Sequence, residues 1–346
     1  MTSDMGTQAV LSVLMPVYNG RDFLKPAIDS ILAQTFGDFE LVIVNDGSTD
    51  DSRAIVEEYR DPRIVLINQA NQGVARSLNN GLEVTRGKYI RRHDADDIST
   101  PDSFQIQVDF LDKHPGYVMV CNQEAFMTAS GKVAWKYRVP NEKFFQGRSV
   151  VDLDFSHFNI NSSSPVVHGT ACFRREEVIK LGKYRTEFTV SEDNDLWLRL
   201  LEKYKIAVLN QCTYFMRLHG SSATQRHAGK IRFFRQLLID YSLERREKGS
   251  DPIIRGEAVP AAPPSAPEQK EQAPAYGKRF REDLRYMYGL VTDAGDWPLI
   301  RKIGGEILRD GWKVPETWKM LAFPLLGDRF IKSGVALKSA FRPKKT

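Results

Sequence analysis

The chain is poor in cysteine. Cys121, Cys172 and Cys212 stand far apart in apolar stretches of 346 residues, and no CxxC pair occurs. That excludes a disulfide scaffold or a zinc ribbon and suits a reducing compartment. Long apolar runs are also missing: no stretch of about 18 apolar residues occurs, so no spanning helix is expected. The start, MTSDMGTQAV, has no basic segment leading into an apolar one, so no signal peptide is expected. Nor is there a strong charge of one sign. The formal net charge of +5 is too small to imply nucleic acid.

Glycine-rich phosphate cradles are absent as well. No GxGxxG follows the first apolar run, which disfavours a dinucleotide-binding fold. No GxxxxGK[ST] occurs: Gly81 and Gly87-Lys88 are one residue too far apart, and Tyr89 stands where the hydroxyl residue belongs. DADDIS is not an EF-hand loop, because no Gly lies two places beyond Asp97 and no Glu closes the ring.

What is present is a regular alternation. AVLSVLMPVYN is a nearly continuous apolar run, which suits a strand buried on both faces. FLKPAIDSILAQ follows with helical spacing at Phe23, Leu24, Ala27, Ile28, Ile31 and Leu32. FELVIVND, RIVLINQ and GKYIRRH predict further strands; DDSRAIVEEY and GVARSLNNGLEVT predict helices. Such alternation predicts a mostly parallel sheet with helices on both faces, an α/β fold. Beyond residue 120 the rhythm loosens. VVHGTACFRR reads as a strand, EEVIKLG as a short helix, SEDNDLWLRLLEKY as a helix and CTYFMRLH as a last strand. An amphipathic helix is predicted over 228–248, and the proline-rich stretch 249–277 reads as an extended linker.

In an open α/β sheet, ligands bind beyond the carboxyl ends of the strands. Tyr18-Asn19, NDGSTDD and DADD all sit at such ends, which places Asp46, Asp94 and Asp96 around one crevice. Three aspartates within four positions repel one another, so something positive should meet them. A divalent ion bridging these aspartates to a diphosphate is one answer. Alone, DADD also suits a solvated turn, and Ser48, Thr49 or Asp50 suits a helix cap.

LSVLMPVYNG, DSILAQT, FELVIVNDGSTDDS, NQGVARSLNNGL, GKYIRRHDADD, SEDNDLWLRL and RLHGSS follow one another over about residues 9–225. In that order they resemble the family 2 inverting glycosyltransferases, whose fold is the Rossmann-like GT-A type. The resemblance implies that Pro16, Val17, Tyr18 and Asn19 line the base and ribose of a nucleotide-sugar donor. It implies that Asp46 accepts from a nucleobase N–H, that Arg76 approaches the ribose or diphosphate, and that Asp94 lies on the ribose side. Asp96 and His219 would hold Mn²⁺ or Mg²⁺, and Asp193 would be the general base. His168-Gly169-Thr170 would lie on a strand facing the site. The donor would be linked to UDP or dTDP. The acceptor would be a saccharide or a lipid-linked molecule in cell-surface polysaccharide synthesis. QxxRW, found in processive relatives, is absent, so single additions are expected. A catalytically idle nucleotide-sugar-binding or scaffold module is the rival. A sugar nucleotidyltransferase is disfavoured by the lack of a Gly-rich, Arg-containing first loop.

The expected organisation is a catalytic domain at 1–248, a Pro/Ala-rich linker at 249–277 and a helical appendage at 278–346. Residues 311–346 carry eight basic residues against two acidic ones, interspersed with Trp312, Trp318, Phe323, Phe330 and Phe341. Such a tail suits a cap packed on the domain, or an interfacial anchor on anionic lipid. The expected location is cytoplasmic, at the inner face of the membrane if the tail is an anchor.

Overall fold

The computed structural model describes residues 9–128, 131, 133–135, 144–158, 164–219 and 228–262. The chain divides into two units. The first, Met1–Ala129 with Trp135–Gln269, carries the site. The second, Ser130–Ala134 with Lys270–Thr346, falls almost wholly outside the described residues, and so do the expected appendage and basic tail.

The chain begins with β1 (Leu11–Val17), α1 (Arg21–Leu32), β2 (Phe39–Asp46), α2 (Ser52–Glu58), β3 (Ile64–Gln69), α3 (Val74–Val84) and β4 (Tyr89–Arg92). Next come β5 (Ile98–Ser99), α4 (Ser103–Lys113), β6 (Tyr117–Thr128), β7 (Val133–Trp135) and β8 (Val150–Asp152). β9 (Cys172–Arg174), α5 (Arg175–Lys180), α6 (Glu192–Leu201), β10 (Lys205–Leu218) and α7 (Ala228–Lys248) follow. The main sheet runs β3-β2-β1-β4-β9-β6-β10-β5. β1 to β4 pair in parallel, as the alternation predicts. β9 enters antiparallel between β4 and β6, and β6 pairs with β10 in parallel.

Both faces of this sheet are covered, which is why β1 and β2 read as apolar without interruption. Val13 and Met15 point to one side, where Leu24, Ile28 and Ile31 of α1 and Phe104, Val108 and Leu111 of α4 pack on them. Leu14, Val42 and Val44 point to the other, against Leu78 and Leu82 of α3 and Leu196, Trp197 and Leu200 of α6.

Two expectations change. VVHGTACFRR is not one strand: His168–Thr170 forms a single 3₁₀ turn, closed by Thr170 N–H donating to Val167 O at 2.9 Å, and only Cys172–Arg174 extends. The inserted strand thus has room for just a few paired residues between β4 and β6. The stretch after α7 is not loose at its start either. Asp251 is fully buried, and its carboxylate meets the guanidinium groups of Arg185, at 2.7 Å, and Arg245. Arg245 also reaches Glu202 at 2.7 Å, and Ile253, Val259 and Ala262 pack on the core. Prolines set the composition here, but charge pairing holds residues 249–262 on the domain.

Candidate active site

The crevice begins where β1 and β2 end. Asn19 takes a left-handed backbone conformation (φ 52°), tolerable for Asn. Its side-chain oxygen accepts from Thr49 N–H at 2.8 Å, and its own N–H donates to Ser48 Oγ at 3.0 Å. Gly20 N–H donates to Ser52 Oγ at 2.9 Å, and Arg21 N–H to Asp50 Oδ2 at 3.1 Å. Asp50 also accepts from Ser52 N–H at 3.0 Å, at the first residue of α2. These bonds staple the two loops together. Tyr18 is left 47% exposed at the mouth. Val17 is in the core and Pro16 is half-buried.

Asp46, at the end of β2, is buried. Its carboxylate accepts from Gln69 Nε2 at 2.7 Å, Gln72 N–H at 2.8 Å and Gly73 N–H at 2.9 Å. The last two donors lead into α3, so Asp46 anchors that helix start. Two oxygens offer about four lone-pair directions, which leaves one for a further donor. Arg76, in the first turn of α3, is exposed to solvent.

The acidic loop after β4 is met by cations of the protein itself. The guanidinium of Arg92, almost fully buried, forms an ion pair with Asp94 Oδ1. Asp94 is about a third exposed, and its Oδ2 faces the hydroxyl of Tyr214 at 3.3 Å. Asp96 is exposed to the same degree, and its Oδ2 lies 2.8 Å from His219 Nε2. Arg217 Nε donates to Asp96 O at 2.8 Å, and Arg217 N–H donates to Asp97 Oδ1 at 2.7 Å. Burial, reinforced by Asp96 and Asp94, raises the pKa of Asp97 well above the carboxylate range. Beneath the loop, burial and the neighbouring Arg91 lower His93 to about 3, so its ring is neutral. His93 Nδ1 then donates to Asp94 O at 2.7 Å, and Nε2 accepts from Ser99 Oγ at 3.0 Å.

The turn His168–Thr170 lies against this loop. A Cβ on Gly169 would stand 2.8 Å from Asp94 Oδ2, so only glycine lets the turn come so close. His168 Nε2 bonds the Tyr184 hydroxyl at 2.9 Å, and its Nδ1 lies 3.9 Å from Glu192 Oε1. Burial and Arg92 push the pKa of His168 down, so this imidazole is also neutral. Glu192 and Asp193 open α6 after Ser191, another left-handed residue (φ 64°). Burial and then Asp193 raise Glu192 to about 8. Burial raises Asp193 too, but two bonds from Asn194, its N–H at 2.7 Å and Nδ2 at 2.9 Å, oppose the rise. Both carboxyls of the pair are thus raised, Glu192 far enough to keep its proton near neutrality, while the Asn194 bonds favour the charged form of Asp193.

Among the described residues no group of three or more His, Cys, Asp and Glu side chains is arranged to hold a metal ion. Asp96 and His219 form a pair instead, an oxygen and an imidazole nitrogen already side by side. Such a pair fits an ion that takes most of its shell from phosphate oxygens and water, as Mg²⁺ and Mn²⁺ do. The sequence reading did not single out Arg92, Tyr214, Arg217 or the special role of Gly169. Two consecutive arginines in a strand expected to be buried were the available signal.

The model of Glycosyl transferase family 2 matches residues 12–182. The putative glycosyltransferase EpsE of Bacillus subtilis is 33% identical over 251 residues, 70% of this chain and 85% of that protein. The minor teichoic acid biosynthesis protein GgaB of the same species is 29% identical over 67% of this chain, but only 26% of its own length is matched. Among solved structures, S. aureus TarS 1-349 in complex with UDP-GlcNAc superposes with a TM-score of 0.55 at 19% identity. That match covers 68% of this chain and 66% of TarS 1-349.

Proposed function

The chain belongs to glycosyl transferase family 2, with the GT-A fold, and we propose that it moves one sugar, with inversion, from a UDP- or dTDP-linked donor to a saccharide or lipid-linked acceptor. The observation that carries this reading is the gathering of two pairs of carboxylates, Asp94 with Asp96 and Glu192 with Asp193, around the turn His168–Thr170. The first pair is the donor side. Tyr18 and Asn19 flank the nucleoside, Asp46 offers its remaining lone pair to a base N–H, and Asp94 lies toward the ribose. Exposed Arg76 is free to swing toward the diphosphate. Asp96 and His219 would hold Mn²⁺ or Mg²⁺, which when bound neutralises charge on the departing diphosphate.

The second pair is the acceptor side. Asp193 takes the proton of the acceptor hydroxyl as its oxygen bonds to the anomeric carbon. The bond from that carbon to the diphosphate breaks, and its electron pair leaves with the nucleoside diphosphate. Glu192, holding its own proton, leaves Asp193 as the base. The complexes of TarS 1-349 with UDP and with UDP-GlcNAc support a uridine donor, and the likeness to the minor teichoic acid biosynthesis protein GgaB supports a role in cell-surface polysaccharide synthesis. No helix among the described residues is long and apolar enough to cross a membrane. We place the basic, aromatic tail at an anionic lipid surface, on its composition. The deciding experiment is release of nucleoside diphosphate from a panel of nucleotide sugars, with Mn²⁺ and with EDTA. No release from any UDP- or dTDP-sugar in Mn²⁺ would refute the proposal.

A further inference from the structure

Two arginines stand in β4, where neighbouring strands carry apolar residues. A buried cation costs several kcal/mol unless it is paired. Arg91 spends its charge on structure: it donates to Arg92 O and Gly169 O and lies 5.5 Å from the centre of the Tyr214 ring. Arg92 is different. It is 5% exposed, it ion-pairs with Asp94, and its N–H donates to Ala171 O at 2.9 Å, on the residue that ends the turn His168–Thr170. That turn touches Asp94 on one side, through Gly169, and Glu192 on the other, through His168.

We propose that Arg92 is a positioning residue for both halves of the site: it fixes Asp94 on the donor side and supplies the standing positive charge that the Glu192–Asp193 pair faces. This rests on the reading of Asp193 as the base. The guanidinium is the suitable group because it is planar and offers donors in several directions at once. Burial opposes the charged form of Arg92, yet Asp94 more than restores it, so the cation persists. Its field favours the ionised form of both Glu192 and Asp193, against the burial that raises them.

Among the described residues, the groups that face this pair come from several elements. They are Arg92 of β4, Asp94 of the acidic loop, His168 of the turn, Tyr184 before α6, Asn194 of α6 and Arg235 of α7. His168 is neutral, so among these described residues Arg92 and Arg235 are the standing cations. Removing Arg92 leaves a base that needs higher pH to ionise and an Asp94 without its anchor.

The test measures UDP release from UDP-GlcNAc, or from whichever UDP-sugar the wild type turns over best, across pH in Mn²⁺. In Arg92→Met the acidic limb of kcat should move to higher pH. We expect kcat about tenfold below wild type near about pH 6, recovering toward wild type by about pH 9, with a raised donor KM. Arg92→Lys should keep the limb near its wild-type position. Arg92→Gln replaces the Met variant if circular dichroism shows that variant unfolded. A uniform loss at every pH with an unmoved limb overturns the proposal. A folded Arg92→Lys whose limb shifts as far as that of the neutral variant does the same. Asp193→Asn is the control: wild-type kcat there removes the reading of Asp193 itself, whereas a normal loss there with an unmoved limb in Arg92→Met removes Arg92 alone.

Discussion

A methyl group on Gly169 would lie 2.1 Å from the hydroxyl oxygen of Tyr214, and Tyr214 has no exposed surface through which to retreat. The phenol also accepts from Asp94 N–H at 3.1 Å, so pushing it aside disturbs the acidic loop. Gly169→Ala should therefore cost stability of about 1–3 kcal/mol, the range for overpacking. Donor turnover should fall more than stability alone explains. Urea denaturation and diphosphate release on the same preparation check this, and an unchanged donor KM would show that the loop does not lean on the turn.

The paired carboxylates of α6 should separate by substitution. Asp193→Asn should lower kcat by roughly 10²–10⁴, the usual loss of a general base. Glu192→Gln should lower it far less, because Glu192 is raised to about 8 and already neutral at pH 7. Stability follows from the same shift. A carboxyl raised on folding stabilises fully at pH below its unfolded value, and that contribution is lost as pH climbs to about 8. Thermal melts of the wild type should therefore decline over that window, and those of Glu192→Gln should be flatter. The reverse ranking of kcat would transfer the base to Glu192.

Metal dependence should centre on Asp96 and His219, which lie 2.8 Å apart. Asp96→Asn and His219→Gln should each abolish most Mn²⁺-stimulated turnover while the melting curve stays close to wild type. A nucleotide sugar at about 100 times its dissociation constant stabilises by about 2.7 kcal/mol, so a thermal shift that appears only with Mn²⁺ would report the coupling directly. Full activity in excess EDTA would exclude it.

Asp251 should matter although it lies outside the site. Arg185 and Arg245 converge on its buried carboxylate, and breaking such a group from one side costs about 3–5 kcal/mol. Asp251→Ala should show that loss in urea melts at neutral pH. The carboxyl is held below its usual range: burial pushes it up, but the Ile254 N–H and the two arginines outweigh burial. Its contribution is therefore present above the unfolded pKa and lost as pH falls through the folded one, so wild type and variant should converge in acid. Equal stability at pH 7 would show the ion pairs to be idle.

The membrane reading of the tail has its own test. The whole chain and a version ending at Gln269 are sedimented with vesicles of anionic lipid. Cutting there, rather than at the end of α7, keeps Asp251 and the packed residues after it. Binding lost on truncation and weakened by salt supports an anchor. Equal recovery of both in the supernatant at low salt would leave the tail without that role.

The parallel half of the fold was legible because each strand is buried on both faces, so periodicity, length and turn residues agreed. The acidic loop was legible because three aspartates in four positions are costly without a purpose. β9 was not. Three paired residues give no period to read, and the glycine that shapes the preceding turn serves contacts with Tyr214 and Asp94, far away in sequence. Tyr214 and Arg217 read as an ordinary strand, since their meaning lies in what β10 brings them to. Residues 249–262 misled through composition: proline content suggests freedom, while the single buried Asp251 decides otherwise.

β10 pairs with β6 from Lys205 to Leu218, and it carries Tyr214 and Arg217 with His219 just beyond. His219 stands 123 residues after Asp96. During synthesis the ribosome therefore delivers the acidic loop long before any of the three partners that it acquires from this strand. A nascent chain that ends before Tyr214 can already hold β1 to β4 and their helices, with Arg92 beside Asp94 but with none of Tyr214, Arg217 and His219. Assembly of the candidate site thus waits for one late strand, and until that strand docks the acidic loop stands without these neighbours.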